Sequence, residues 1–178
     1  VSLSADGSTV AIGARNNDGN GSYAGHVRMY EFITPQLSVS VSGNSQDIPN
    51  NGTPMLSNHT HFGSLASGGN LTKTYTLKNT GTVDLVLDAT AVTLTGSADF
   101  TLVTQPTPLT LAPAASTTFQ ITFTPSSPGV KTATVSIASN DPNSPFTFEV
   151  QGAANTALDF DGTDYVEIGN VTDLSFER

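Results

Sequence analysis

The chain has 178 residues, room for one well-cored domain or two small ones, and its 15 acids against 6 bases give a formal charge of −9. That balance sets aside DNA, RNA and anionic membrane surfaces as partners, because phosphate binding needs clustered Lys and Arg. There is no cysteine, which excludes a disulfide framework, a thiol nucleophile and a thiolate metal site, and no stretch approaches the ~18 apolar residues of a membrane span.

No window shows a helical period. Period-two alternation recurs instead, broken by clusters of Gly, Pro, Asn and Asp, so the chain is predicted to be all-β. Residues 1–33 open with Val1-Ser2-Leu3-Ser4, an Asp6-Gly7 turn and Thr9-Val10-Ala11-Ile12-Gly13, a predicted hairpin. A loop from Arg15 to Gly25 leads to a third predicted strand, His26–Phe32, and Ile33-Thr34-Pro35-Gln36 reads as a linker. About seven strands follow within residues 34–154. They are Leu37–Val41, Thr74–Lys78, Leu85–Leu87, Asp99–Leu102, Thr118–Phe123, Ala133–Ile137 and Phe146–Val150, with turns at Asn79–Thr82, Pro125–Gly129 and Asn140–Pro145. Phe119, Ile121 and Phe123 share one face; so do Ala133, Val135 and Ile137, and Phe146, Phe148 and Val150. Polar outside and apolar inside, these short strands predict an antiparallel β-sandwich. Composition shifts again in residues 155–178, which hold six acids and one base. A chain that starts at Val1 without Met, and stops at Arg178 with no closing turn, reads as cut from something longer.

Several separated motifs carry a family resemblance. Val41-Ser42-Gly43-Asn44, Ile48, Asn51-Gly52, Phe62-Gly63-Ser64-Leu65, Tyr75–Gly81 and Asp99-Phe100 resemble the choice-of-anchor D and ASPM–Hydin-type (ASH) immunoglobulin-like domains. Leu111-Ala112-Pro113, Phe123-Thr124-Pro125, Gly129 and Ile137–Pro142 continue the match over about two thirds of the chain. His61 departs from it, standing where that family more often has an acid. The resemblance implies a structural or interaction module without catalytic residues. Residues 1–33 resemble one repeat of an FG-GAP or integrin-type β-propeller, and a single blade cannot close a ring. From Ala157 to Ile168, with Phe160-Asp161-Gly162 and Tyr165-Val166, residues 155–178 resemble the start of a laminin G or concanavalin-like lectin domain. The expected architecture is thus an immunoglobulin-like sandwich between a partial propeller blade and a truncated lectin-like segment.

Candidate chemistry is sparse. Asn16, Asp18, Asn20 and Ser22 place oxygen ligands at alternate positions in a Gly-rich loop, the pattern of a calcium site. Only one of the four is charged and no bidentate acid closes the loop, so a plain polar loop is the competing reading. His59-Thr60-His61 places two imidazoles in reach of one Zn²⁺, but no third ligand is near and Asp47 is the nearest upstream acid; two exposed loop histidines is the simpler expectation. Asp159, Asp161 and Asp164 could supply the paired carboxylates of a glycosidase, yet Asp161-Gly162 is foremost a turn signal. Asn-x-Ser/Thr triplets at Asn20, Asn51, Asn58, Asn70 and Asn170 match the glycan-acceptor pattern, and arise by chance in a chain this rich in Asn and Thr. No nucleophile elbow, phosphate loop or dinucleotide fingerprint occurs. The expected function is a non-enzymatic structural or adhesive module of a large extracellular or cell-surface protein, of bacterial type. Its expected partners are other domains of the same chain, and an extracellular protein or glycan. The alternative is an accessory region of a carbohydrate-binding or carbohydrate-processing protein.

Overall fold

The computed structural model describes residues 1–5, 7–14, 26–31 and 34–155. Among these residues the alternation becomes thirteen strands, and no helix forms. β1 (Ser2–Leu3), β2 (Thr9–Ala14) and β3 (His26–Glu31) make a separate antiparallel sheet in that order, as the hairpin pattern predicts. The hairpin turn is closed by Ser4 N–H donating to the Thr9 carbonyl at 2.9 Å and Gly7 N–H to the Ser4 carbonyl at 3.0 Å.

Residues 39–155 form two five-stranded sheets. One contains β4 (Val39–Gly43), β5 (Gln46–Ile48), β7 (Leu71–Asn79), β9 (Phe100–Thr104) and β11 (Ser116–Phe123), in the order β5-β4-β7-β11-β9. The other contains β6 (His61–Ala66), β8 (Leu85–Gly96), β10 (Thr110–Leu111), β12 (Gly129–Ser139) and β13 (Phe146–Asn155), in the order β10-β8-β12-β13-β6. This is the expected sandwich with two corrections. It has ten strands where about seven were expected. The additions are β5, β6 and β10, of three, six and two residues; β5 and β10 are too short to show an alternation, and Gly63 interrupts the pattern of β6. Nor is the sandwich purely antiparallel, because β6 runs parallel to β13, with Gln151 opposite His61 and Ala153 opposite Ser64. The reason is the path of residues 49–60, which leave one sheet at β5 and zip onto the edge of β13 before β6 begins. Asn51 N–H donates to the Thr147 carbonyl at 2.6 Å, Glu149 N–H to Gly52 at 2.9 Å and Gln151 N–H to Thr60 at 2.9 Å. A chain arriving in that direction can only continue parallel.

The inward residues predicted from alternation all reach the core. Phe119, Ile121, Phe123, Ala133, Val135, Ile137, Phe146, Phe148 and Val150 are buried. Rings dominate it. Phe100 stacks on Phe123 at 4.6 Å between centroids, Phe62 meets Phe100 edge-on at 5.4 Å, and Tyr75 stacks on Phe119 at 5.2 Å. Offset and edge-to-face pairs of this kind add to the gain from burying the rings themselves. Phe123 fits only because β13 presents Gly152 opposite it: a Cβ at Gly152 would overlap the Phe123 ring.

Truncating Phe123 to Ala should cost about 3–5 kcal/mol, the usual range for a large-to-small core change. Gly152→Ala alone should cost about 1–3 kcal/mol by overpacking. In the double variant the added methyl enters the vacated space, so the combined loss, read from urea unfolding of the four proteins, should be smaller than the sum of the two single losses.

Candidate interaction surfaces

The polar residues of the family-like motifs are consumed by the fold. Asn79, fully buried at 0% exposure, donates from Nδ2 to the carbonyls of Val83 and Leu111, both at 2.8 Å, and accepts Gly81 N–H at 2.9 Å. It closes the turn after β7 and ties it to β10. Asp141 is buried in the turn between β12 and β13. Its carboxylate accepts Val39 N–H at 3.1 Å and Asn143 N–H at 2.8 Å, fastening the start of β4 to that turn. Asp99 accepts from Ser126 N–H at 3.2 Å and Ser126 Oγ at 2.8 Å, and lies 3.8 Å from Lys131 Nζ, so it caps the turn leading into β12. Thr117 exchanges hydrogen bonds with the backbone of Thr107 at 2.8 and 3.0 Å. Such fully satisfied buried groups specify a turn and leave nothing over for a ligand.

One group stands apart. Among the described residues, His59 Nδ1 is the buried side-chain nitrogen or oxygen without a hydrogen-bond partner. His59 sits in the left-handed region at φ 66°, and its carbonyl accepts the Tyr75 hydroxyl at 2.9 Å. The backbone here presses on Gly43 of β4, where any side chain would strike the Asn58 carbonyl. Burial, and then the charge of Lys73, hold the imidazole below its ordinary value. Burial also lowers Lys73, whose ammonium donates to the His61 carbonyl at 2.7 Å and lies 4.8 Å from the centre of the Phe62 ring. Burial raises the Tyr75 hydroxyl.

The two histidines therefore differ from the expected pair of exposed loop residues. Both are half-buried, and His61 opens β6. Its Nδ1 already accepts Gly63 N–H at 2.9 Å. No group of three or more His, Asp or Glu side chains among the described residues is placed to hold a metal ion. The calcium candidates Asn16, Asp18, Asn20 and Ser22 lie outside the described residues, as do Asp159, Asp161 and Asp164. Of the Asn-x-Ser/Thr triplets, Asn58 is buried at 2% exposure with its Oδ1 accepting Thr60 Oγ1 at 2.7 Å, which closes it to a glycan. Asn51 is exposed, its Oδ1 accepting Thr147 Oγ1 at 2.6 Å; Asn70 is exposed just before β7; Asn20 and Asn170 are outside the described residues. Sequence reasoning missed the trapped state of His59, because nothing in a sequence marks a non-glycine left-handed residue.

The sandwich surface is shallow and polar. A groove of about 240 Å³ runs between Thr53, Thr134, Thr147 and Glu149, and one of about 200 Å³ between Ser38, Asn50, Asp141 and Asn143. Both fall below the ~300–1,000 Å³ of ordinary small-molecule pockets. On the outer face of the first sheet the hydroxyls of Thr72 and Thr122 pair at 2.6 Å, and Gln120 donates to Thr74 at 3.1 Å. Where the edge strand β10 is too short to cover β8, the Gln105 side chain bonds both backbone groups of Val92, at 3.0 and 2.8 Å. The three-stranded sheet is the contrast: it holds five of the eleven large apolar side chains exposed among the described residues.

A family profile described as HYDIN/CFA65/VesB-like, Ig-like domain matches residues 55–153. Among solved structures, the secreted serine protease VesC from Vibrio cholerae aligns at 16% identity and a TM-score of 0.43, over 53% of this chain and 21% of that one. The Vibrio cholerae VesB protease aligns at 14% identity and 0.44, over 68% and 32%. The ASH/PapD-like domain 7 of human CEP192 aligns at 14% identity and 0.42, over 72% and 96%. The chain thus spans about a fifth of VesC and a third of VesB. No curated protein sequence matches it.

Two outcomes follow from these contacts. Asn79→Ala strands two carbonyls and one N–H in the turn and should cost on the order of 3 kcal/mol, measured by chemical denaturation. For His59 the folded value lies below the unfolded one, so the unfolded chain takes the proton first. Stability is unaffected well above pH 6.5 and falls as the pH drops from there through the lowered folded value. Unfolding curves between pH 7 and 5 should show this loss, and His59→Asn, which tolerates the left-handed backbone, should flatten it relative to the wild type.

Proposed function

The chain belongs to the HYDIN/CFA65/VesB-like family of Ig-like domains, and on that basis we propose that residues 34–155 are a non-enzymatic spacer and presenting module of a larger extracellular or cell-surface protein. The observation that carries this reading is the fate of the buried polar groups. Asn58, Thr60, Asn79, Thr117 and Asp141 are each bonded to backbone or to one another. A catalytic site needs the opposite, polar groups converging on a space that a substrate can enter.

In this reading the flanking units do the binding. Residues 1–33 are one blade of a β-propeller and residues 155–178 the start of a lectin-like sandwich. The extracellular placement rests on those two resemblances, and partners are sought among other domains of the same protein and extracellular proteins or glycans. The sandwich contributes a rigid separation between its neighbours, held by the turn contacts of Asn79, Asp141 and Asp99.

A domain swap tests the proposal. In the intact protein, replacing residues 34–155 with an unrelated immunoglobulin-like sandwich of equal length should leave ligand or surface binding unchanged. A flexible linker of the same residue count should weaken it, because the rigid separation is lost. If the unrelated sandwich abolishes binding and only the native one restores it, residues 34–155 carry a recognition surface of their own and the spacer reading fails.

A further inference from the structure

Residues 36–39 enter the sandwich along a turn that receives them bond by bond. The Thr82 N–H donates to the Gln36 carbonyl at 2.8 Å, and the Gln36 N–H donates back to Thr82 Oγ1 at 2.9 Å. Further along, the Thr80 N–H donates to the Ser38 carbonyl and Thr80 Oγ1 to Ser38 Oγ, both at 2.9 Å. Val39 N–H then meets the Asp141 carboxylate at 3.1 Å, and β4 begins. Gln36 is exposed as a residue, yet both its backbone groups are taken. The linker expected at Ile33–Gln36 therefore ends before Gln36.

The turn is shaped to accept a chain. Asn79, fully buried, closes it through the Gly81 N–H and the Val83 and Leu111 carbonyls. Gly81 is the point of close approach: a Cβ there would overlap the Gln36 carbonyl oxygen and come within 2.9 Å of the Ser38 nitrogen. Asn79 suffices to close the turn. Gly81 and the Thr82 hydroxyl answer to the chain laid over them.

We infer that the Asn79–Thr82 turn is a seat for the chain arriving from the preceding unit, so that the sandwich sets the direction of that unit as well as its distance. Between Glu31, the last residue of β3, and Gln36 lie residues 32–35, which extend over at most about 14 Å. Pro35 narrows the freedom further, because its ring fixes its own φ and keeps Thr34 extended. A chain held at Gln36 and Ser38 cannot swing about Leu37, so the pivot lies ahead of Gln36. The inference rests on the spacer reading of residues 34–155 and fails separately from it: the seat concerns where the chain pivots, the domain swap whether the sandwich recognises a ligand.

Pulsed electron–electron resonance on the full chain tests the seat. With no native cysteine, one pair of spin labels goes on Thr34→Cys, just ahead of Gln36, and Thr101→Cys, exposed on β9. A control pair, Thr101→Cys with Glu149→Cys, lies within the sandwich, where both positions are exposed. The first distance distribution should be as narrow as the control. Gly81→Ala, which pushes on the Gln36 carbonyl, should broaden the first and leave the control unchanged. Thr82→Val nearly keeps side-chain size and removes the acceptor of the Gln36 N–H. Amide exchange at Gln36 should then speed up about fivefold, as one lost hydrogen bond implies, while exchange at Phe119 in β11 stays the same. A wild-type first distribution broader than the control, a Gly81→Ala variant that stays narrow, or a Gln36 amide indifferent to Thr82→Val would each overturn the proposal.

Discussion

Two sheets of a sandwich stand about 10 Å apart, and everything in residues 39–155 depends on filling that gap with rings. Phe100 and Phe123 from one sheet and Phe62 from the other meet near one end, and Tyr75, Phe119 and Phe148 fill the middle. The packing is tight enough to dictate a backbone residue: β13 must carry Gly152 where the Phe123 ring lies. The sheets must therefore be held in register at both ends, and the polar motifs do that. Asn79 ties the turn after β7 to β10, in the opposite sheet; Asp141 ties the β12–β13 turn to β4; Asp99 ties the start of β9 to the turn before β12. Each joins elements of different sheets, so each resists the sliding that would unseat the rings.

That division of labour explains why the motifs that look most distinctive in the sequence are not a site. Asn79-Thr80-Gly81 and Asn140-Asp141-Pro142 are fixed by hydrogen-bond geometry at one end of the stack of apolar side chains, where Val39 pairs with Asn79 and donates to Asp141. A residue already accepting and donating to backbone at 2.8–3.1 Å has no capacity left for a substrate without the turn coming apart. His59 is the exception that shows the cost. The path from β5 to β6 must cross from one sheet to the other, and it does so with a left-handed residue whose ring nitrogen is left unpaired. The crossing thus carries an unpaired buried nitrogen whose protonation works against the folded state.

How much of this was legible in the sequence depends on the length of the signal. β7, β11, β12 and β13, of eight to eleven residues, show several turns of alternation, and the inward faces of β11, β12 and β13 were assigned residue by residue. β5 and β10 are set by partners rather than by their own pattern: Ile48 and Leu111 are buried, but one apolar residue in two or three defines no period. β6 could not be read as parallel, because strand direction depends on the sheet crossing upstream. Asn79 and Asp141 were legible as turn residues through the Asx chemistry of such positions, but not as buried anchors, since their partners are distant in sequence. The candidate surface was legible only in outline. Asn79–Thr82 reads as a turn, and only its bonds to Gln36 and Ser38 show that it holds the incoming chain.

The contrast between the two described units makes a last point about modular chains. Domains strung together meet at high effective concentration, so a spacer with open edges or apolar faces would pair with its neighbours and misassemble. The sandwich limits this with neutral, mutually bonded hydroxyls on its outer sheet face, a short strand at one edge of each sheet (β5 and β10, of three and two residues), and the Gln105 amide occupying the exposed backbone of Val92. The three-stranded sheet, whose edge strand β1 is also only two residues long, leaves Leu3, Val27 and Met29 exposed. Among the described residues, the guarded surface belongs to the sandwich and the exposed apolar one to the smaller sheet.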